Sequence, residues 1–262
     1  WIWALVFAWR ALFSAAAWAW CLAGVCVALG LLAKPTMILW LPAFALLLAT
    51  TPSLRGRLRE PGCWLLVSIA MIGALPGILW NFQHDWVTLR HTGTHAGVDG
   101  AGFTWAGPIR FFFTQVLVLF GVWFAIWLTA AWRYRPGREK DPQVLFLWWM
   151  SVPIIAFFAV FSLKNNGGEP NWPVAGYLSG SVLAARWFRD THAGLTARTQ
   201  RLLTAGVVGT AMIGLVAIAI IHTPVSFQPL LRRFAGLATE QHPMPIRRVD
   251  PTARLRGWSH LA

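Results

Sequence analysis

Long apolar runs alternate with short polar stretches along most of the chain. A bilayer core about 30 Å thick is crossed by roughly 20 apolar residues, and a backbone in lipid must satisfy its own hydrogen bonds. Each run therefore predicts a membrane-spanning helix. The pattern as a whole predicts an all-α, polytopic helical bundle with about seven complete spans after a truncated one at Trp1–Trp9. The predicted spans are Ala17–Ala33, Thr36–Thr50, Cys63–Trp80, Ile109–Trp132, Val144–Leu163, Trp172–Phe188 and Leu202–Ile221.

The two predicted spans on either side of Lys34 are short. At 1.5 Å rise per residue, Ala17–Ala33 and Thr36–Thr50 each cover about 25 Å or less. We therefore expect the turn at Lys34 and Pro35 to lie below the level of the outer headgroups. A re-entrant hairpin is the alternative, and it would reverse the orientation of everything before it.

Charge changes this picture by suggesting an orientation. The chain is 57% hydrophobic and 12% charged, with a net charge of +13. In a soluble domain that charge would suggest nucleic acid, but here the distribution of basic residues between loops explains it. Twelve of the 22 Lys and Arg lie in alternate loops, and the opposite short loops carry four. Cytoplasmic loops are the enriched ones, which predicts an orientation with Arg10, Arg55–Arg59, Arg133–Lys140 and Arg186–Arg201 on the cytoplasmic side.

The chain divides at the end of the last apolar run. Residues 1–222 form the predicted transmembrane domain, and residues 223–262 contain no apolar run long enough to cross a membrane. We expect this tail to begin a periplasmic segment; its six Arg run against the charge trend, but longer segments translocate largely regardless of charge. Because the chain begins at Trp1 without a signal peptide, we also expect it to be part of a larger protein.

Candidate chemistry gathers on the predicted outer face, in two polar turns between apolar runs. A carboxylate, a cation and amides this close to hydrocarbon are costly unless they meet a polar partner or ligand. Cations neutralise phosphate, amides and carboxylates bond hydroxyls, and Trp covers a sugar ring or a lipid tail. This mixture predicts a phosphate- and sugar-containing ligand. The candidate substrate-binding residues are Lys34, Gln83, His84, Asp85, Arg110, Lys164, Glu169, Asn171 and Trp172.

Each candidate has a purely structural alternative. Lys34 can extend to the membrane interface, and Asp85 can cap a helix end or pair with His84. Glu169 can be a helix N-terminal carboxylate favoured by the helix dipole. Arg110 can be an interfacial anchor as well as a phosphate ligand.

Other residue patterns favour packing over chemistry. His91 and His95 could bind zinc on a helix, but Gly93 between them favours a flexible loop, and we predict no metal and no cofactor. Gly176, Gly180 and Ala184 recur at the spacing that lets two helices approach closely. The three cysteines suggest buried packing residues. Several tryptophans near predicted span ends are typical of an interfacial aromatic belt, namely Trp123, Trp127, Trp132, Trp148 and Trp149.

Four motifs in order along the chain resemble bacterial glycosyltransferase family 39. These enzymes are the membrane-integral relatives of dolichyl-phosphate-mannose:protein mannosyltransferases and of the lipid A aminoarabinose transferase. The motifs are Leu31–Thr36, Trp80–Trp86, Glu169–Pro173 and Asp250–Trp258.

The resemblance implies a C-type glycosyltransferase fold with a site open to the periplasm. Such enzymes move a sugar from a polyprenyl-phosphate carrier to a lipid, glycan or protein acceptor. By likeness, Lys34 meets the carrier phosphate, and the turns at His84–Asp85 and Glu169–Trp172 line the pocket. The family's catalytic carboxylate lies on its first outer loop, upstream of residue 1, so no catalytic residue is assigned in this chain. Pro35 replaces an aromatic residue common in the relatives.

A transporter or lipid flippase is the alternative function. Transporters typically show internal repeats and broken helices with polar groups near the bilayer midplane. Here the ionisable groups gather at one face and the span centres lack charge. The distribution therefore favours chemistry at the membrane surface.

Overall fold

The computed structural model describes residues 1–95, 102–165 and 168–222, and within these ranges it contains helices and no strand. Each apolar run forms helix because its backbone bonds are then internal. The predicted all-α bundle is confirmed. The helices are α1 (Ile2–Phe13), α2 (Trp18–Ala33), α3 (Trp40–Thr50), α4 (Pro61–Gln83), α5 (Val87–His95), α6 (Ala106–Val118), α7 (Val122–Arg133), α8 (Pro142–Trp149), α9 (Val152–Asn165), α10 (Val174–His192) and α11 (Ala197–His222), with 3₁₀ helices at Pro35–Leu39 and Pro52–Arg59.

The chain separates into two compact units, residues 1–195 and 196–262. In the second unit the structure describes the apolar helix α11. The predicted periplasmic segment 223–262, with the motif at Asp250–Trp258, lies outside the described residues. The helix packing and the sites described below belong to the first unit.

Fewer helices than predicted are long and apolar enough to span a membrane by themselves. Among the described residues three qualify, at Pro61–Gln83, Pro142–Lys164 and Ala197–Ala219, and up to five if two bent pairs each count as one span. The predicted span Ile109–Trp132 is one such pair, since α6 and α7 meet at 114°. The bend follows from left-handed backbone at Phe120 and Gly121, which interrupts the helix.

Of the remaining predicted spans, Thr36–Thr50 belongs to the other bent pair, and the rest correspond to helices that do not qualify. Helices α1 and α2 are apolar but short, and the run from Pro35 to Thr50 bends by 117° into the 3₁₀ helix Pro52–Arg59. Helix α10 is 19 residues long but includes Arg186, Arg189 and Asp190 near its end.

Helices α2 and α4 pack closely and run in the same direction. A Cβ built on Gly24 would lie 2.9 Å from the Leu66 carbonyl oxygen, and one on Gly73 would overlap Ala28. Residues later in α2 thus contact residues later in α4, which means that the two helices are parallel. Small residues permit this close approach between helices. Because the two helices are parallel, α3 must return the chain between them.

A second group consists of α7, α8, α9 and α10. The Trp127 indole Nε1 donates to Ser151 Oγ at 3.0 Å and that of Trp148 to the Ala131 carbonyl at 2.8 Å, so α7 runs antiparallel to the α8–α9 segment. Trp127 is only 7% exposed, which makes the aromatic-belt interpretation wrong for this residue. A Cβ on Gly180 would lie 2.6 Å from Ser151 Oγ, and Ala184 is buried, which confirms the packing role predicted for the small residues of α10.

These packing relations define two ends of the first unit. Arg57 Nη2 donates to the Leu12 carbonyl at 3.0 Å, and Trp9 stacks edge-on against Phe146 at 5.5 Å. The end of α1 therefore lies beside the Pro52–Arg59 helix and the start of α8. We call this the arginine end of the unit. The C-terminal ends of α3, α7 and α10 also lie there. Helices α2, α4 and α9 finish at the opposite end, which we call the polar-turn end.

Candidate functional site

Lys34 lies at a sharp corner of the polar-turn end. Its amide donates to the Gly30 carbonyl at 2.8 Å and closes α2, while its own carbonyl accepts from the Met37 amide at 3.0 Å and begins the next 3₁₀ helix. Met37 is buried against Gly30, where a Cβ would clash with it. The backbone corner is thus fixed by packing. The Lys34 side chain is exposed, and none of the described carboxylates pairs with it.

The turn after α4 is organised by Asn81. Its side-chain amide donates to the Gly77 carbonyl at 2.8 Å, and its Oδ1 accepts from the Thr88 amide at 3.2 Å. The ring of His84 stacks on Trp80 at 4.3 Å, with Nδ1 2.7 Å from the Trp80 carbonyl oxygen.

Left-handed backbone at Asp85 and Trp86 turns the chain into α5. Such a conformation is uncommon for residues other than glycine and costs free energy. Gln83 and Asp85 are exposed, and no described residue pairs with the Asp85 carboxylate. His84 is held by Trp80 and not by the predicted alternative pairing with Asp85.

The segment with His91 and His95 is helical and not the flexible loop that Gly93 predicted. Helix α5 runs from Val87 to His95, and its start is held to the Asn81 turn. Within the described part of the chain, no group of three His, Cys, Asp or Glu side chains is arranged to hold a metal ion.

The second polar turn lies at the start of α10. The Trp172 amide donates to the Glu169 carbonyl at 3.1 Å, and the Trp172 ring lies 6.0 Å from Phe158 and 6.2 Å from Phe161. These aromatic contacts with α9 hold the turn against the bundle. Glu169 and Asn171 remain exposed at its edge.

The segment before α6 is held to the end of α9. The Thr104 amide donates to the Leu163 carbonyl at 2.9 Å, and the Lys164 ammonium lies 4.7 Å from the centre of the Phe103 ring. Arg110 is exposed on the second turn of α6, with no described ion-pair partner. Because α6 and the Glu169–Trp172 turn both contact α9, we call the elements that carry Lys164, Arg110 and this turn the α6–α9–α10 cluster.

Gln115 is a member of this cluster that sequence reasoning missed. It is 1% exposed, and its Nε2 donates to the Pro170 carbonyl at 3.3 Å. Its Oε1 is buried and accepts no hydrogen bond from the described residues. A buried amide with an unused acceptor is costly. The sequence did contain a signal for this residue: Gln115 is the one amide side chain in the apolar run between Phe111 and Phe124.

The polar-turn end therefore carries all nine predicted site residues, in two groups. Lys34 and the turn at Gln83–Asp85 lie at the ends of the parallel helices α2 and α4, and the other five belong to the α6–α9–α10 cluster. None of the described hydrogen bonds or ion pairs joins the groups. Four cavities of the first unit are lined by other residues.

Comparison with known proteins connects this geometry to a family. Residues 1–80 match the sequence profile of dolichyl-phosphate-mannose-protein mannosyltransferases. The chain is also 29% identical over 178 residues to a lipid A galacturonosyltransferase of Rhizobium johnstonii. These matches confirm the predicted resemblance of the chain to glycosyltransferase family 39. The alignment covers 66% of this chain and 37% of the galacturonosyltransferase. No solved structure matches the chain.

The profile match includes Lys34 and ends at Trp80. That region ends where the first polar turn begins. It contains α1, α2, α3 and most of α4, so the parallel α2–α4 pair lies in the matched part.

Proposed function

We propose that this protein is a membrane-integral glycosyltransferase. It transfers a sugar from a polyprenyl-phosphate carrier to a lipid, glycan or protein acceptor at the periplasmic face of the inner membrane. The observation that carries the proposal is the location of Lys34, Asp85 and Glu169 at one end of the unit, opposite the basic loops. The family relationship supports the reaction class.

The carrier phosphate is assigned to Lys34. Its ammonium is exposed at a rigid corner and has no described carboxylate to neutralise it, so it can pair with an anion at the membrane surface. In the reaction the acceptor hydroxyl attacks the anomeric carbon, the bond to the carrier phosphate breaks, and the polyprenyl phosphate leaves. A cation beside the phosphate stabilises the charge that develops on this leaving group.

The sugar and its acceptor are assigned to the second turn. The exposed Glu169 carboxylate and Asn171 amide can bond hydroxyl groups, and Trp172 supplies an apolar face beside them. These residues bind and orient substrate. The base that takes the acceptor proton is not assigned to a residue of this chain.

The test is sugar transfer by the full-length protein in membranes. Following the two relatives, the donors to test are polyprenyl-phosphate-linked mannose and galacturonic acid, and lipid A is an acceptor to test. We expect Lys34→Ala and Glu169→Ala each to reduce transfer at least about 100-fold, since each removes a charged contact to substrate. Membrane insertion and thermal unfolding should stay unchanged because both side chains are exposed.

The matched control is Lys140→Ala, which removes an exposed cation at the arginine end. It should retain full transfer. Wild-type turnover in both Lys34→Ala and Glu169→Ala would refute the site assignment. Absence of transfer by the wild-type protein with every donor and acceptor would refute the reaction class.

A further inference from the structure

Two adjoining cavities lie near the arginine end, away from the proposed sugar site. One, of about 450 Å³, lies between α1 and α10. The other, of about 380 Å³, lies closer to the ends of these helices. Trp9, Leu147 and Val182 line both, so the cavities are continuous along one groove. Volumes in this range suit a small organic ligand.

The first cavity is mostly apolar. Its walls include Leu5, Val6 and Leu178, and Arg10 is the charged residue among those that line it. The two serines that line it already bond to the backbone: the Ser179 hydroxyl donates to the Met150 carbonyl at 2.7 Å and the Ser181 hydroxyl to the Leu178 carbonyl at 2.9 Å. A ligand in this part of the groove therefore meets mainly hydrocarbon, no free hydroxyl group, and the cation of Arg10.

The second cavity is cationic. Arg186 and Arg189 line it, together with the Gln143 amide. Arg186 is oriented by Asp190, whose Oδ2 accepts from Arg186 Nε at 2.7 Å and from the Tyr134 hydroxyl at 2.9 Å. The terminal guanidinium nitrogens of Arg186 have no described partner. Arg189 is 72% exposed and approaches Asp190 at 3.5 Å.

We propose that this groove binds an anionic phospholipid of the leaflet that the arginine end meets. The phosphate lies between Arg186 and Arg189, and an acyl chain lies between α1 and α10. An apolar channel that ends at two arginines matches a molecule with a hydrocarbon tail and a phosphate head. Guanidinium groups favour phosphate because they offer paired donors in a fixed plane. The charge of the site is positive because one carboxylate, Asp190, faces two arginines.

The experiment uses the full-length protein in nanodiscs that contain photoactivatable phosphatidylglycerol, with photoactivatable phosphatidylcholine as the zwitterionic comparison. Mass spectrometry locates the crosslinks. We expect phosphatidylglycerol to label the segments around Trp9, Leu147 and Val182 more than phosphatidylcholine does. Each basic residue near an anionic membrane surface raises binding about fivefold. Arg186→Gln/Arg189→Gln should therefore reduce phosphatidylglycerol labelling by roughly five- to 20-fold.

Two further variants separate the groove from general charge and from folding. Arg133→Gln/Arg138→Gln removes two arginines of the same end that line neither cavity, and it should keep the labelling. Arg189→Gln alone preserves the Arg186–Asp190 pair and should still reduce labelling several-fold. Val182→Trp fills the groove and should reduce labelling by both lipids.

Equal labelling by the two lipids, or unchanged labelling in Arg189→Gln and in the double variant, would overturn the proposal. So would crosslinks confined to other parts of the surface, or no crosslink because another protein segment fills the groove. The result is independent of the transferase assignment. Glu169→Ala should bind the lipid like the wild-type protein whether or not it transfers sugar.

Discussion

At the scale of single residues, Gln115 has the most informative environment. Its side chain links α6 to the turn that carries Glu169 and Asn171, because it donates one hydrogen bond to the Pro170 carbonyl. Its second polar atom is buried without a partner. The side chain thus adds a desolvation cost to the fold while holding a turn assigned to substrate. We infer that its role is to position that turn.

Gln115→Met should separate these two effects. It keeps the length of the side chain, removes the unpaired acceptor and loses one long hydrogen bond, so the free energy of unfolding should change by less than about 1 kcal/mol. Sugar transfer by the full-length protein should fall about tenfold or more because the Glu169–Trp172 turn loses its tether.

The control is Thr114→Val on the same helix. The Thr114 hydroxyl bonds only to the Arg110 carbonyl within α6, so its loss should leave transfer unchanged. If Gln115→Met transfers sugar at the wild-type rate, the positioning role is wrong. A parallel loss of stability and transfer would indicate a purely structural residue.

At the scale of elements, Tyr134 and Asp190 join the ends of α7 and α10 beyond the predicted spans. The bond from Arg186, and then the bond from Tyr134, hold the pKa of Asp190 below its usual range. Burial first, and the neighbouring carboxylate second, raise the pKa of Tyr134 to about 12. The two helices are therefore joined by a carboxyl group that titrates in acid and a phenol that titrates in strong base.

The direction of each pKa shift gives the pH range in which the group stabilises the fold. A lowered carboxyl pKa contributes stability that is present above the unfolded pKa, about 3.9, and is lost as pH falls through the folded value. A raised tyrosine pKa contributes stability that is present below about pH 10 and is lost as pH rises through about 12. The pair should stabilise the unit fully between about pH 5 and 9.

Asp190→Asn tests this window in thermal unfolding of the detergent-solubilised protein. Because Asp190 is partly exposed and its ion pairs are screened, we expect the Tm to fall by only about 1–3 °C at pH 7. The difference from wild type should begin to shrink as the pH falls below about 3.9, the ordinary pKa of an aspartate, and should keep shrinking at lower pH. Tyr134→Phe removes one of the donors and should show a smaller loss with the same acid dependence. A pH-independent difference in Asp190→Asn would contradict the assignment.

At the scale of the whole first unit, the two ends carry different chemistry. The polar-turn end mixes cations, carboxylates, amides and tryptophans, and the arginine end carries the basic loops. The parallel α2–α4 pair makes this separation possible because it brings Lys34 and the Trp80–Trp86 turn to the same end.

Cysteine accessibility tests the arrangement. In a full-length protein without its native cysteines, Gln83→Cys and Asn171→Cys should react with a membrane-impermeant maleimide in intact spheroplasts. Arg138→Cys should react only after permeabilisation. Each position is exposed or at the edge of the unit, so reactivity reports the side of the membrane. Reaction of Gln83→Cys and Asn171→Cys from opposite sides would contradict a single polar-turn end, and reaction of both only after permeabilisation would reverse the orientation.

The sequence by itself determined that the chain is helical, that it belongs in a membrane and that its polar turns follow particular apolar runs. These properties are local: twenty apolar residues must form helix in lipid whatever surrounds them. It also predicted the packing role of Gly176 and Gly180, because small residues at a spacing of four mark a helix contact.

The tertiary structure alone decided how the helices face one another. A helix that is apolar on all sides contains no pattern that distinguishes lipid from a neighbouring helix. Neither the burial of Trp127 nor the bend between α6 and α7 could therefore be predicted, and the link from Gln115 to Pro170 spans 55 residues. Long-range contacts of this kind depend on the packed arrangement of several helices, and no single segment encodes them.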